Sequence, residues 1–277
     1  MLKKIRTALF VPGDHAKAME RAHERPADAL IFDLEDGVSP DAKEAAREAI
    51  ATALSEERFA GHITVVRLNH TSTDWGVKDA QTFATLPCDA IMLSKVSSRR
   101  DTEAALRLLG YHGGADKPIW ANIETPAGVM NVAEIAELPQ IKALVMGTND
   151  LANDLRILRT PDRAALMHSL QQVQLVGRAT GCTVLDGTFM DVKDEAGLRA
   201  EAEQGRMLGF DGKTLIHPAQ IAIANEVFSP TEEEVARAKV IIETYEREAL
   251  GKHKAVCLMG NEMIERLHYD RARELVA

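Results

Sequence analysis

Eight short apolar runs punctuate the chain: TALFVPG (7–13), ALIFDLEDG (29–37), ITVVRLN (63–69), AIMLSKV (90–96), IWANIE (119–124), ALVMGTND (143–150), TVLDGTF (183–189) and FDGKTLI (210–216). Near-continuous apolar strands mark parallel sheets covered on both faces. The stretches between them carry helix signals. SPDAKEAAREAIATAL opens with Ser39 at an N-cap position and Pro40 at the first helical position. TPDRAALMHSLQQVQLVGRATG repeats the device with Thr160 and Pro161, and Gly181 stands where a C-terminal glycine belongs. EAALRLLG stops at Gly110. Eight β–α alternations predict an α/β fold of the (β/α)8 TIM-barrel type. A doubly wound open sheet is the competing architecture, but no glycine-rich dinucleotide fingerprint follows the first run.

The barrel is expected over residues 1–230, and residues 231–277 read as a C-terminal helical extension. SPTEEEVARAKVIIETYEREALG opens with Thr231 and Glu234 in capping-box spacing. KHKAVCLMG (252–260) reads as a connector or hook. NEMIERLHYDRARELV (261–276) reads as a final helix with Met263, Ile264, Leu267 and Leu275 on its apolar side. Such an extension serves as a lid or as an oligomer contact.

Bulk properties narrow the function classes. A net charge of −9 argues against a nucleic-acid partner, although it leaves room for a local basic pocket. Cys88, Cys182 and Cys257 are far apart and odd in number, which fits no metal spacing or disulfide framework and points to a reducing cytoplasm. MLKKIRTALFVPGD has too short an apolar run before Pro12 for a signal peptide. No apolar stretch approaches a membrane span. Lys3, Lys4, Arg6, Lys17 and Arg21 read as a solvated face, some of it within reach of phosphates near the first strand.

The chemistry collects at the C-terminal ends of the strands, where such barrels keep their reactive groups. Those ends supply Asp33, Glu35 and Asp36; Arg67 and Asn69; Lys95; Glu124; Asn149 and Asp150; Asp186; and His217. Six acidic groups face two firm cations, so a further cation is implied. Oxygen ligands without a His/Cys cluster favour Mg2+. Strand alternation sharpens the placement. Leu30, Phe32 and Leu34 share the face toward the helices, and Ile31, Asp33 and Glu35 share the face toward the mouth. Arg67 and Asn69 share a face too, and an arginine there suits a substrate carboxylate.

Blander roles compete at each position. Asp33, Glu35 and Asp36 could be structural ion pairs with Arg67 and Lys95, or begin a solvated loop. Glu124 and Asp150 could cap the helices that follow them. Lys95 could neutralise the mouth without meeting substrate, and Asp186 could be a turn residue before Gly187. His217, ahead of Pro218, reads as a helix-start or packing residue rather than a general base.

LFVPGD, FDLEDGV, VVRLN, SKV, IETPAGVMN, GTNDLANDL and GFDGKTLIHPAQI run in the order seen in the citrate lyase β-subunit family, with its citramalyl-CoA and malyl-CoA lyases. The chain resembles that family from about residue 7 to 230, and more loosely to the end. The resemblance implies a TIM barrel, usually a trimer, that binds Mg2+ and a CoA or acyl-carrier thioester. It implies Glu124 and Asp150 as metal ligands and Arg67 as the substrate arginine, with Glu35 and Asp36 as the acidic cluster beside them. Lys95 and Asn149 complete the substrate-binding set. Asn149 replaces a glutamate common among relatives, and Asp33 is left with the weakest specific role. Malyl-type members have a C-terminal lid that lends an aspartate to a neighbouring subunit. Here Met263-Ile264-Glu265 matches that motif, with glutamate in place of aspartate and no following proline.

The reaction expected from the resemblance is Mg2+-dependent cleavage, or formation, of a 3-hydroxy-3-carboxyacyl thioester such as malyl-, citramalyl- or citryl-CoA. The products are an acyl-CoA and an oxo acid, with Glu265 as base. Three alternatives stand beside it: a thioester hydrolase on the same site, an aldolase acting without CoA, and a non-catalytic CoA-binding or lyase-complex subunit.

Overall fold

The computed structural model describes residues 4–56, 58–252 and 254–276, which form two compact units dividing after Phe228. Lys3 lies outside the described residues. In the first unit β1 (Thr7–Pro12), β2 (Ala29–Asp33), β3 (Ile63–Leu68), β4 (Ala90–Leu93), β5 (Ile119–Ile123), β6 (Ile141–Met146), β7 (Thr183–Asp186) and β8 (Gly212–Leu215) close into a parallel barrel in chain order. The expected TIM barrel is therefore observed.

Alternation along each strand builds two separate cores. Ala8, Ala29, Ile31, Val65, Met92, Trp120, Val145 and Leu185 fill the barrel interior. Leu30, Phe32, Leu34, Val66, Ile91, Ile123, Leu144 and Val184 join the helices in a larger outer core. Parity places Asp33 inward with Ile31, but it sends Asp186 outward with Val184. Asp186 thus leaves the set of mouth residues to which its strand-end position had assigned it.

Several expected helix ends are corrected. Ser39 makes no side-chain cap; a 3-10 turn over Pro40–Ala42 leads into the helix Lys43–Ser55. Thr160 bonds Asp162 instead of capping, and the α-helix starts only at Met167. Gly181 does close that helix in the left-handed region, at φ 74°. Gly110 lies inside the helix Arg99–Tyr111, and the chain turns at Gly113, φ 93°. Arg6 is not merely solvated: its Nε and one terminal nitrogen donate to Asp28 at 2.9 Å each.

The second unit carries the helix Glu232–Glu248, opened by the Thr231/Glu234 capping box. It continues with an antiparallel hairpin, β9 (Val256–Met259) and β10 (Glu262–Glu265), and the helix Arg266–Val276. Met263 and Ile264 are therefore strand residues, and the final helix buries Tyr269 and Ala272 instead. Ile264 and Cys257 pack with the stacked rings of Tyr245 and Tyr269. Among the described residues no helix is long and apolar enough to cross a membrane.

Candidate active site

The mouth of the barrel is organised around one arginine. Parallel pairing puts Arg67 of β3 directly beside Asp33 of β2. Arg67 Nε donates to Asp33 Oδ1 at 2.7 Å and a terminal nitrogen donates to Asp33 Oδ2 at 2.6 Å, a fork-to-fork pair that fixes the guanidinium plane. The Phe10 ring lies 4.7 Å beneath it. Asp33 also accepts the main-chain N–H groups of Glu35 (2.8 Å) and Gly37 (3.0 Å). A Cβ at Gly37 would collide with Asp33 Oδ2, so the turn after β2 requires glycine. Burial pushes the Asp33 carboxyl up, but Arg67 and the two N–H groups outweigh it and hold it below the usual range. Asp33, read as the least specific acid of its segment, is the anchor of Arg67.

Glu35 joins two cations. Its Oε2 lies 3.1 Å from the remaining Arg67 nitrogen and its Oε1 accepts from Lys95 Nζ at 2.7 Å. Burial raises its pKa, Arg67 and Lys95 oppose this, and Asp36 adds repulsion; the net direction is up. Asp36 is exposed and pairs with Lys95 at 3.3 Å. Lys95 sits in the left-handed region, φ 52°, and its own N–H donates to Glu124 Oε1 at 2.6 Å. That backbone twist lets one residue serve Glu35 with its side chain and Glu124 with its main chain.

Glu124 follows β5 and is 1% exposed. Its other oxygen accepts from Asn122 Nδ2 at 2.6 Å. The helix cap beside it belongs to Thr125, which accepts from Gly128, so the capping role weighed for Glu124 is not the one it plays. A Cβ at Gly147, after β6, would strike the Glu124 side chain, so that glycine makes room for it. Burial first, then Glu35, with Asp150 adding, pushes the Glu124 carboxyl up to about 8 against the pull of Arg67. Asp150 is half-buried in the first turn of the helix Thr148–Asp154.

The donor set Glu124 and Asp150 suits a hard cation. Mg2+ typically takes one or two carboxylates and fills its other positions with water and substrate oxygens. Among the described residues no group of three His, Cys, Asp or Glu is placed to hold a metal.

The other expected residues fall into different settings. Asn149 is turned aside: it accepts from Arg159 at 2.7 Å and donates to Thr188 Oγ1 at 2.9 Å. These three help line a cavity of about 380 Å³ with Phe189 and Met190. His217 caps the 3-10 turn Pro218–Gln220 through Nδ1. Asn69 serves Asp79, donating from its main chain and side chain at 3.0 and 2.7 Å. Asp186 is fully buried against Arg163 (2.7 Å) and Lys213 (3.2 Å). Glu265, at the end of β10, is half-buried in the second unit, and its N–H donates to His268 Nδ1 at 3.0 Å. Sequence reading missed Lys43, whose buried Nζ donates to the carbonyls of Leu34 and Glu35 at 2.8 and 2.9 Å. Its amphipathic position, one turn before buried Ala46 and Arg47, was the available signal.

Comparison with known proteins gives a consistent picture. Residues 6–218 match the HpcH/HpaI aldolase/citrate lyase family model. A (3S)-malyl-CoA thioesterase of Cereibacter sphaeroides is 44% identical over 272 residues, covering 98% of this chain and 93% of the relative. The citrate lyase β subunit of Escherichia coli is 33% identical over 279 residues, covering 97% and 91%. The structure of CitE from Mycobacterium tuberculosis with magnesium, acetoacetate and coenzyme A superposes with a TM-score of 0.81 at 28% identity, covering 100% of this chain and 98% of that one. The chain belongs to the HpcH/HpaI aldolase/citrate lyase family.

Proposed function

We propose that this enzyme hydrolyses a malyl-type CoA thioester, releasing the hydroxy acid and free CoA, with Mg2+ held by Glu124 and Asp150. The observation that favours hydrolysis over carbon–carbon cleavage is the 44% identity, across nearly the whole of both chains, to a (3S)-malyl-CoA thioesterase. A bound Mg2+ supplies Lewis-acid polarisation of substrate oxygens.

The protein's own groups do the rest. Arg67 spends three of its nitrogen contacts on Asp33 and Glu35 and still has N–H groups to offer a substrate oxygen. Held rigidly, it meets developing negative charge without reorganising. Water attacks the thioester carbon, its proton passes to a carboxylate, the C–S bond breaks, and the departing thiolate takes a proton. Glu35 is the proposed proton acceptor, because burial favours its protonated form. Lys95 Nζ (2.7 Å) and the Asp36 main-chain N–H (3.0 Å) hold it in place at the rim. Asn149, held by Arg159, borders the cavity of about 380 Å³ beside the proposed site.

The lyase reading remains the second one, favoured by the citrate lyase β relative and by a citrate lyase β subunit structure from M. tuberculosis with oxaloacetate and magnesium (TM-score 0.71, 30% identity). In that reading Glu265, lent by the C-terminal extension of a neighbouring subunit, takes the C3 hydroxyl proton. One assay separates them: incubate the protein with Mg2+ and malyl-CoA, then quantify thiol, malate, glyoxylate and acetyl-CoA. Thiol with malate supports hydrolysis. Glyoxylate with acetyl-CoA in equal amounts overturns it in favour of the lyase.

A further inference from the structure

Lys43 presents a physical problem. Its side chain is buried, residue exposure being 6%, and among the described residues no carboxylate pairs with it. A buried ammonium without a counter-ion is costly, and an apolar side chain would fill the same volume without that cost. What Lys43 does have is two acceptors on successive residues, the carbonyls of Leu34 (2.8 Å) and Glu35 (2.9 Å). The Trp75 ring lies 5.3 Å from Nζ and covers it.

Those two carbonyls lie just past the end of β2; the Glu35 carbonyl also accepts from the Val38 N–H at 3.1 Å, so Lys43 reinforces a turn there and ties it to the Leu34 carbonyl. Fixing both of them fixes two consecutive peptide planes. That sets the direction in which the Glu35 side chain leaves the main chain. The Glu35 carboxylate must then reach Arg67 on one side, at 3.1 Å, and Lys95 on the other, at 2.7 Å. One turn along the same helix, Arg47 does the equivalent work for β3: its Nε bonds Asp79 at 2.7 Å, and Asp79 holds the main chain and side chain of Asn69. One face of one helix therefore grips two adjacent strand exits.

We infer that Lys43 is a positioning residue: by holding the Leu34 and Glu35 carbonyls it sets the Glu35 carboxylate between Arg67 and Lys95. The inference rests on the proposed reading of these residues as the active site. It adds a buried cation behind the acidic mouth that acts through the backbone rather than by touching substrate.

The test is a double-mutant cycle on thioester turnover with Lys43→Met and Glu35→Gln, read together with thermal unfolding. Lys43→Met should lower kcat by about tenfold or more, since small misplacements of catalytic groups are that costly, while KM stays within about twofold. In the Glu35→Gln background the same change should cost less than about twofold, because the group it positions is already altered. A full additive loss would mean that Lys43 acts through the fold, and an unchanged kcat in the single variant would overturn the inference outright. If the Met variant does not fold, Lys43→Arg carries the test. With both carbonyls still bonded it should keep kcat within about threefold; a full kcat with Glu35 displaced in its crystal structure overturns the claim. If wild type turns over no thioester, the functional reading fails, and the crystal structure of Lys43→Met still decides: Glu35 swung away from Lys95 supports the positioning role, and Glu35 unmoved removes it.

Discussion

Two charge clusters occupy neighbouring strand ends, and they are built on opposite plans. Behind β7 and β8, Asp186 and Glu201 meet Arg163 and Lys213, with separations of 2.7 to 3.8 Å. That set is electrically balanced, faces the helices and is closed to solvent at its centre. Around β2 to β6, Asp33, Glu35, Asp36, Glu124 and Asp150 face Arg67 and Lys95, with Lys43 set behind. Here carboxylates outnumber cations, one carboxyl is pushed up to about 8, and Lys95 keeps its side chain 40% exposed. Both clusters are dense and buried, so density alone does not mark chemistry. The inward-facing set carries surplus negative charge; the outward set does not, and its Arg163 and Glu201 help line the cavity of about 380 Å³.

The largest expected effect follows from the imbalance. Asp150→Asn should reduce Mg2+-dependent turnover by roughly a thousandfold with an unchanged unfolding midpoint. Equal loss of stability and activity would erase the distinction between the clusters. Next, Asp186→Asn should reverse the pattern. It leaves two buried cations poorly matched and should cost about 3–5 kcal/mol of folding stability, with kcat/KM of the folded fraction unchanged. Calorimetry paired with kinetics checks both halves.

Lys95→Met should give a smaller loss, roughly tenfold in kcat/KM, the size of one charge-assisted hydrogen bond partly open to water. A pH series sharpens the comparison further. Burial opposes ionisation of Asp186, but Lys213 and Arg163 outweigh it and lower its folded pKa. Its contribution is therefore fully present above the unfolded carboxyl value, about 3.9, and is lost as pH falls through the lower folded value. Denaturant unfolding of Asp186→Asn should accordingly fall less steeply with acid than wild type; parallel slopes would contradict the assignment.

The barrel was legible because eight apolar runs each had to be covered on both faces, and alternation placed Asp33 and Glu35 inward from Leu30, Phe32 and Leu34. The same alternation, carried to TVLD, sends Asp186 outward beside Val184; strand-end position alone had hidden this. The weight of Asp33 was not readable from its own segment, because it arises from the register that sets it beside Arg67. Lys43 was obscured for a related reason: its partners are main-chain carbonyls, which leave no residue-type signature. The β9–β10 hairpin resembles a connector and a helix start in sequence because a four-residue strand turning at Gly260, φ 63°, carries too little periodicity to declare itself.

In the proposed reading, the surplus of carboxylate at the barrel mouth belongs to a divalent cation on Glu124 and Asp150. Isothermal titration of Mg2+ into wild type, Glu124→Gln and Asp150→Asn tests it most directly, since it needs neither substrate nor turnover. Wild type should bind one Mg2+ per chain, and neither variant should show saturable binding. Undiminished binding in both would contradict it.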